Sequence, residues 1–198
     1  MQANYLPMLF FNKDYNKDLS IHKADLLLAE PFLDDTNFGR SVVLVCEHQE
    51  EGSFGLILNK PSDTKLGEVL DLDTDRHQLY VGGPVEQNSL HFIHQLGQIE
   101  GSIPLRNGVY WGGNFEQIRF YIENGVLTEK NCRFFVGYSG WGKNQLYNEL
   151  RQNSWIISQY NLAKIYETPA QQLWRHILYQ MGGNYKALSN FPTDPRLN

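Results

Sequence analysis

The sequence predicts a single domain of the mixed α/β (α+β) class, and three observations carry that expectation. Short runs rich in Val, Ile, Leu and Phe recur along the chain as strands do, and most of them stop at Gly, Asn or Pro. Between them lie stretches with apolar residues at helical spacing, several opened by a capping residue. The 198 residues are 41% hydrophobic, 13% aromatic and 20% charged, which supplies one core and does not resemble a disordered segment. A chain of this length buries about 70% of the surface its unfolded form exposes, so it needs no covalent staple.

In chain order, residues 1–20 mix aromatics with Asn, Lys and Asp without a period and read as an N-terminal arm. The domain is then expected over residues 21–198. Leu26 to Ala29 is a short buried strand, stopped by Pro31 and the polar run Asp34, Asp35, Thr36 and Asn37. Ser41 to Cys46 and Phe54 to Leu58 read as a hairpin about a turn at Gln49 to Ser53. Leu66, Val69 and Leu70 place a short amphipathic helix over 64–70.

Leu79 to Val81, Leu90 to Ile93 and Val109 to Trp111 are further strands. Asn114 caps a helix that carries Phe115, Ile118, Tyr121 and Ile122 on one face, with Gln117 in the position of a capping box and Asn124-Gly125 at its end. Cys132 to Val136 is a strand, 137–142 a glycine-rich turn, and 143–151 a helix burying Leu146, Tyr147 and Leu150. A strand at Trp155 to Ile157 follows. The last helix, 168–181, starts with Thr168 as N-cap and Pro169 in the first helical position, and Gly182 with Gly183 stops it.

A formal net charge of -5 repels polyanions, and Lys and Arg do not cluster along the chain, which argues against direct DNA binding. Two cysteines, Cys46 and Cys132, lie in apolar strand-like runs and read as buried free thiols rather than a secreted disulfide framework. No run reaches the roughly 18 apolar residues of a membrane span, and no signal-peptide pattern is present, so a cytoplasmic location without membrane association is expected by elimination.

Two motifs invite a catalytic reading. Gly137-Tyr-Ser-Gly-Trp-Gly142-Lys143-Asn144 has the spacing of a phosphate-binding loop, but Asn144 replaces the Ser or Thr that would hold Mg²⁺, and Tyr138 and Trp141 put bulk where backbone amides should cradle phosphate. The same string places Ser139 much as in a nucleophile elbow, with Glu167 and His176 following in hydrolase order, yet Trp141 stands where the last glycine belongs. His91 and His94 stand three apart on a strand and face opposite ways, and Cys46 with His48 lacks a further nearby ligand pair, so neither has metal-ligand spacing. No residue set points to a cofactor or a metal.

The sharper expectation concerns a rim. Arg40, Glu47, His48, Asn59 and Lys60 bracket the hairpin, and Tyr80-Val-Gly-Gly-Pro-Val-Glu-Gln87 echoes Tyr110-Trp-Gly-Gly-Asn-Phe-Glu-Gln117. If strands end side by side at these glycines, one mouth forms from Arg40, Glu47, His48, Asn59, Gly82, Gly83, Gly112, Gly113, Tyr138, Ser139, Gly140 and Trp141, where a ligand or partner would sit.

Leu26-Leu-Leu-Ala-Glu-Pro31, Asn37-Phe-Gly-Arg-Ser-Val-Val-Leu-Val-Cys-Glu-His48, Gly55-Leu-Ile-Leu-Asn-Lys-Pro61, Tyr80-Val-Gly-Gly-Pro-Val85 and Gly137-Tyr-Ser-Gly-Trp141 occur in this order. Together they resemble the YqgE/AlgH family. The resemblance covers about 25–160 and implies a branched mixed β-sheet curled into a pseudo-barrel and flanked by short helices. It also implies a bacterial cytosolic protein labelled a transcriptional regulator without a mechanism, and no catalytic set comes with it. The expected function is therefore regulation or binding through a protein partner or small ligand, without catalysis. The alternative is a small hydrolase using Ser139 or the Glu47 and His48 rim.

Overall fold

A computed structural model describes residues 19–70 and 77–191; most of the arm expected over 1–20 lies outside them. The elements run β1 (Leu26–Ala29), β2 (Val42–Gln49), β3 (Gly52–Ile57), β4 (Pro61–Lys65), α1 (Leu66–Leu70), β5 (Gln78–Val81), β6 (Val85–His94), β7 (Ile103–Pro104), β8 (Tyr110–Trp111), α2 (Phe115–Glu123), β9 (Cys132–Gly142), α3 (Gln145–Arg151), β10 (Trp155–Ser158), a 3-10 turn at Leu162–Tyr166, α4 (Ala170–Met181) and α5 (Gly183–Leu188). They form one mixed α/β unit.

Ten strands among the described residues make one sheet in the order β10-β1-β2-β3-β9-β6-β8-β7, with β5 attached to β9 off this path and β4 beyond β5. Among the described residues only the β5–β9 pairing is parallel. β9 is the branch point: its first half pairs Leu79 with Phe134 and Val81 with Val136, while its second half pairs Gly55 with Ser139 and Gly52 with Gly142. The expected branching is present. The expected curl into a barrel is not, since β10 and β7 are not paired with each other among the described residues and the sheet stays open.

Alternation along the strands sends side chains to three clusters. Leu26, Leu28, Leu44, Leu56 and Ile156 face α4, which buries Leu173, Trp174, Ile177 and Leu178 against them. Val43, Val45, Ile57, Trp141 and Trp155 face the other way, onto Leu146 and Leu150 of α3. Leu79, Phe92 and Phe134 pack on Ile118 and Ile122 of α2. Burying each such side chain contributes about 1.5–3 kcal/mol, so these layers carry the fold.

Polar groups lock the layers in register. Arg133 is buried without a carboxylate among the described residues; its guanidinium donates to the Leu58 carbonyl (2.8 Å) and the Ile165 carbonyl (3.1 Å) and lies 4.6 Å from the Tyr80 ring centroid. The Trp141 and Trp155 indole N–H groups both donate to Glu149 Oε2, at 2.8 and 2.7 Å, tying α3 to β9 and β10.

Several expectations shift. The run 137–142 is not a turn but the second half of β9, because β3 lines one of its edges and satisfies its backbone groups. Residues 61–65 form an edge strand rather than leading straight into a helix, so α1 is confined to 66–70. Asn114 caps α2 as expected, accepting from the Gln117 N–H at 3.1 Å, but the Gln117 side chain accepts from the Glu100 N–H instead of closing the box. Pro169 is the N-cap of α4, and no side-chain bond caps that helix. Gly182 ends α4, yet the chain re-enters helix at once as α5.

Candidate functional site

The site is organised by Gly137 of β9, which sits at φ +67°. A Cβ there would lie 2.7 Å from the Gly83 carbonyl oxygen and 2.9 Å from that of Val85, so only glycine fits. Opposite it, β6 bulges. Tyr138 pairs with Val85 and Val136 with Leu90, so 86–89 have no partner on β9 but Gly137. The bulge reverses alternation, placing Phe135, Tyr138 and Gly140 towards one face while Ser139 and Trp141 turn to the other.

On the Ser139 side, the carboxyl ends of β3 and β5 meet head to head beside β9. The Gly82 carbonyl accepts from the Ile57 N–H (2.8 Å) and from the Ser139 hydroxyl (3.0 Å), and the Gly82 N–H donates to Val136 (2.8 Å). A cleft of about 270 Å³ opens there, lined by Thr36, Asn37, Ile57, Lys60, Pro61, Val81, Gly83, Pro84 and Gln87. The Lys60 ammonium donates to the Asn37 carbonyl and to that of Thr36 at 3.4 Å. Partial burial lowers its proton affinity, opposed by Asp35.

On the Tyr138 side, Phe54 stacks on Tyr138 (ring centroids 4.7 Å apart) and on Trp111 (4.9 Å). The His91 ring meets Phe54 edge-on at 5.1 Å and Tyr138 at 5.8 Å, and its Nε2 is 2.9 Å from Ser89 Oγ. All four rings are half-buried. Burial lowers the His91 pKa, and the Glu86 carboxylate partly opposes this.

The residues expected to share one mouth are divided among separate places. Gly82, Gly83, Tyr138, Ser139 and Gly140 do converge, since a Cβ on Gly83 would fall 2.2 Å from the Tyr138 carbonyl carbon and 2.4 Å from the Ser139 nitrogen. Arg40 and Asn59 lie at the start of β2: Asn59 accepts from the Val42 N–H (2.7 Å) and donates to the Arg40 carbonyl (3.0 Å), while Arg40 donates to the Phe191 carbonyl (2.7 Å) over the Trp174 ring. Glu47 and His48 stand at the opposite end of β2, roughly 25 Å of extended chain from Arg40, where His48 Nδ1 is 2.7 Å from Ser53 Oγ. Trp141 is buried among the α3 contacts. Gly112 and Gly113 belong to a further corner, where the Gly112 carbonyl accepts from His94 Nε2 at 2.9 Å and a Cβ on Gly113 would meet Ser102 Oγ.

These placements decide the catalytic motifs. Ser139 is fully buried and its hydroxyl is committed to Gly82, so the elbow reading loses its exposed nucleophile. The phosphate-loop reading loses its loop, because the string is paired strand. His94 is buried, with Nδ1 accepting from the Leu96 N–H, which fixes a neutral Nε2–H tautomer whose pKa burial lowers. Cys46 and Cys132 are free and buried, and burial pushes both thiols up. No group of three His, Cys, Asp or Glu side chains among the described residues could hold a metal, and no helix among them is long and apolar enough to cross a membrane.

Fold and site define a class: an open, branched α/β sheet with a small cleft of mixed polar and apolar lining where two strands meet the branch strand, and a half-buried aromatic cluster on the reverse face. The AlgH-like family profile matches residues 26–186, and the chain belongs to that family. It is 44% identical over 179 residues to a UPF0301 protein of Cytophaga hutchinsonii, covering 89% of this chain and 98% of that one. A UPF0301 protein of Bacteroides thetaiotaomicron is 38% identical over 178 residues, covering 89% and 91%. Among solved structures, the AlgH protein from Pseudomonas aeruginosa superposes with a TM-score of 0.68 at 28% identity, covering 86% of this chain and 94% of that one. A Corynebacterium diphtheriae protein shares the fold at a TM-score of 0.73 and 22% identity, covering 87% and 93%.

Lys60 and Phe54 are the residues that sequence reasoning placed least well. Lys60 is expected only as a bracket of the hairpin, and the signal that could have promoted it is its position just beyond the carboxyl end of that hairpin's second strand, beside Pro61. Phe54, His91 and Trp111 meet only through pairing across β3, β9, β6 and β8, which local sequence does not disclose.

Proposed function

We propose that this protein is a non-catalytic cytoplasmic binding protein whose small polar ligand, or a side chain of whose partner, seats in the cleft at the sheet branch. The observation that carries this reading is the head-to-head meeting of the carboxyl ends of β3 and β5 at Gly82, which leaves an opening where Lys60, Asn37 and Gln87 stand among apolar walls. Open α/β sheets bind ligands in crevices formed where strand order changes, and β9 changes neighbour here. Its volume of about 270 Å³ falls just below the range typical of drug-sized ligands, which favours a small group. The Lys60 ammonium has three donors and two are turned to carbonyls, so the ligand group is a hydrogen-bond acceptor. Any influence on transcription is then exerted through that ligand or partner, in keeping with the net charge of -5.

The test is a metabolite screen followed by amide chemical shifts on isotopically labelled protein. Saturable shifts centred on Asn37, Lys60, Gly83 and Gln87, weakened by Lys60→Met, are expected. Hits that perturb only surfaces remote from the branch would overturn the assignment.

A further inference from the structure

Among the residues that line the cleft, Lys60 alone is ionisable. It is in no ion pair among the described residues, and the oxygens it does meet, the Thr36 and Asn37 carbonyls, are neutral. Its charge is therefore solvated by dipoles and not cancelled. Asp35 acts on it from outside the lining, but Asp35 Oδ1 already accepts from the Asn37 and Phe38 N–H groups, each at 2.8 Å. Lys60 is half-buried, and thinner water around an ammonium strengthens an ion pair made there.

The rest of the lining sets the shape of the counter-ion. Ile57, Val81, Pro61 and Pro84 present apolar surface, and the two prolines have no N–H to offer. The exposed Asn37 and Gln87 side chains each carry an amide that can donate to an anion. The volume of about 270 Å³ corresponds to roughly nine groups the size of water, at about 30 Å³ each. One cation and a short apolar wall suit a single negative charge on a small hydrocarbon. A phosphate dianion would find a lone ammonium and no guanidinium fork in this lining.

We propose that the cleft binds a monocarboxylate with a short branched apolar tail, the carboxylate on the Lys60 ammonium and the tail against Ile57, Val81, Pro61 and Pro84. A free acid and the carboxy-terminal residue of a partner chain share this chemistry. The assignment rests on the cleft as the binding place and adds to it the charge and the tail of what binds.

The experiment titrates the isotopically labelled full chain with 3-methylbutanoate, with its neutral amide, with acetate and with inorganic phosphate. A tetrapeptide ending in leucine, with a free or an amidated carboxyl group, separates the two sources: tighter binding of the free-ended peptide than of the free acid assigns the carboxylate to a chain end. Saturable shifts of the Asn37, Lys60, Gly83 and Gln87 amides are expected with 3-methylbutanoate, and about tenfold weaker binding of the amide, which lacks the charge, and of acetate, which lacks the tail. Lys60→Met should weaken 3-methylbutanoate about tenfold, Lys60→Arg should retain most of the binding because it keeps the charge, and Lys143→Met, which removes a cation paired with Glu50 instead, should leave it unchanged. An amide that binds as tightly as the acid, phosphate that binds more tightly, or no cleft shifts with either the free acid or the free-ended peptide would each overturn the assignment. The cleft reading itself stands or falls on the metabolite screen and not on these probes.

Discussion

Gly83→Ala tests how tightly the branch is packed. The added Cβ would stand 2.2 Å from both the carbonyl carbon and oxygen of Tyr138 and 2.4 Å from the Ser139 nitrogen, well inside the 3.0 Å that real Cβ atoms respect. Those are backbone atoms of β9, paired on both sides, so no rotamer change relieves the contact. Either β9 or the 82–84 segment must move, which strains the bonds that the Gly82 carbonyl accepts from Ile57 and Ser139. Overpacking of this kind costs about 1–3 kcal/mol, and a weakened buried hydrogen bond adds about 1 kcal/mol. A total near 3 kcal/mol lowers Tm by roughly 6–12 °C for a chain of this size. Thermal unfolding followed by circular dichroism reads the effect, with Gly112→Ala as the control: a Cβ there meets nothing within 4 Å, and only its φ of +67° resists, at about 1–2 kcal/mol. If Gly83→Ala melts with wild type, or less than Gly112→Ala departs from it, the close approach at the branch is refuted.

Two further outcomes follow from the same packing. Glu149→Leu removes the acceptor of both the Trp141 and Trp155 indoles and should cost about 2–4 kcal/mol and change the tryptophan emission spectrum, whereas an unaltered spectrum would show that the shared carboxylate does not hold α3 in place. His77, His91 and His94 have pKa values lowered chiefly by burial, so the unfolded chain binds protons that the folded one refuses once pH falls below about 6.5. Stability should therefore decline as pH drops from that value through the folded pKa values, and His94→Gln should flatten the decline; a Tm that rises between neutral pH and mild acid would contradict the sign.

The parts of the fold legible in the sequence are those fixed by nearby residues. The β2–β3 hairpin shows in its Val-rich run and turn, and α2 shows in the Asn114 cap because that hydrogen bond spans three residues. β4 is polar and mostly exposed, so it carries no apolar alternation to read. The 137–142 string looked like a loop because glycine is a turn signal in isolation; here its glycines serve close strand packing, with Gly142 opposite Gly52, where a Cβ on Gly52 would lie 2.3 Å from the Trp141 carbonyl. The expected rim mixed residues that meet at the branch, such as Gly83 and Tyr138, with residues such as Arg40 and His48 that merely end the same strand. Which end of a strand faces which neighbour is set by long-range pairing, and no local pattern encodes it.

Gly137 shows how one residue shapes both faces of the sheet at the branch. Strict alternation along β9 would put residues 135, 137 and 139 on one face, turning Ser139 towards Phe54 and Tyr138 towards the α3 side. The left-handed conformation at Gly137 instead advances the pattern by one, so Tyr138 stacks on Phe54 and Ser139 reaches Gly82. The same distortion leaves 86–89 of β6 with no other partner on β9, which frees Glu86 and Ser89 to border the His91 ring. It also marks where β9 passes from β5 to β3, the step that opens the cleft. The hydrogen bond from Ser139 to Gly82 and the aromatic stack are thus consequences of one backbone reversal, and the side chain that resembled a nucleophile is the one that the reversal turns inward.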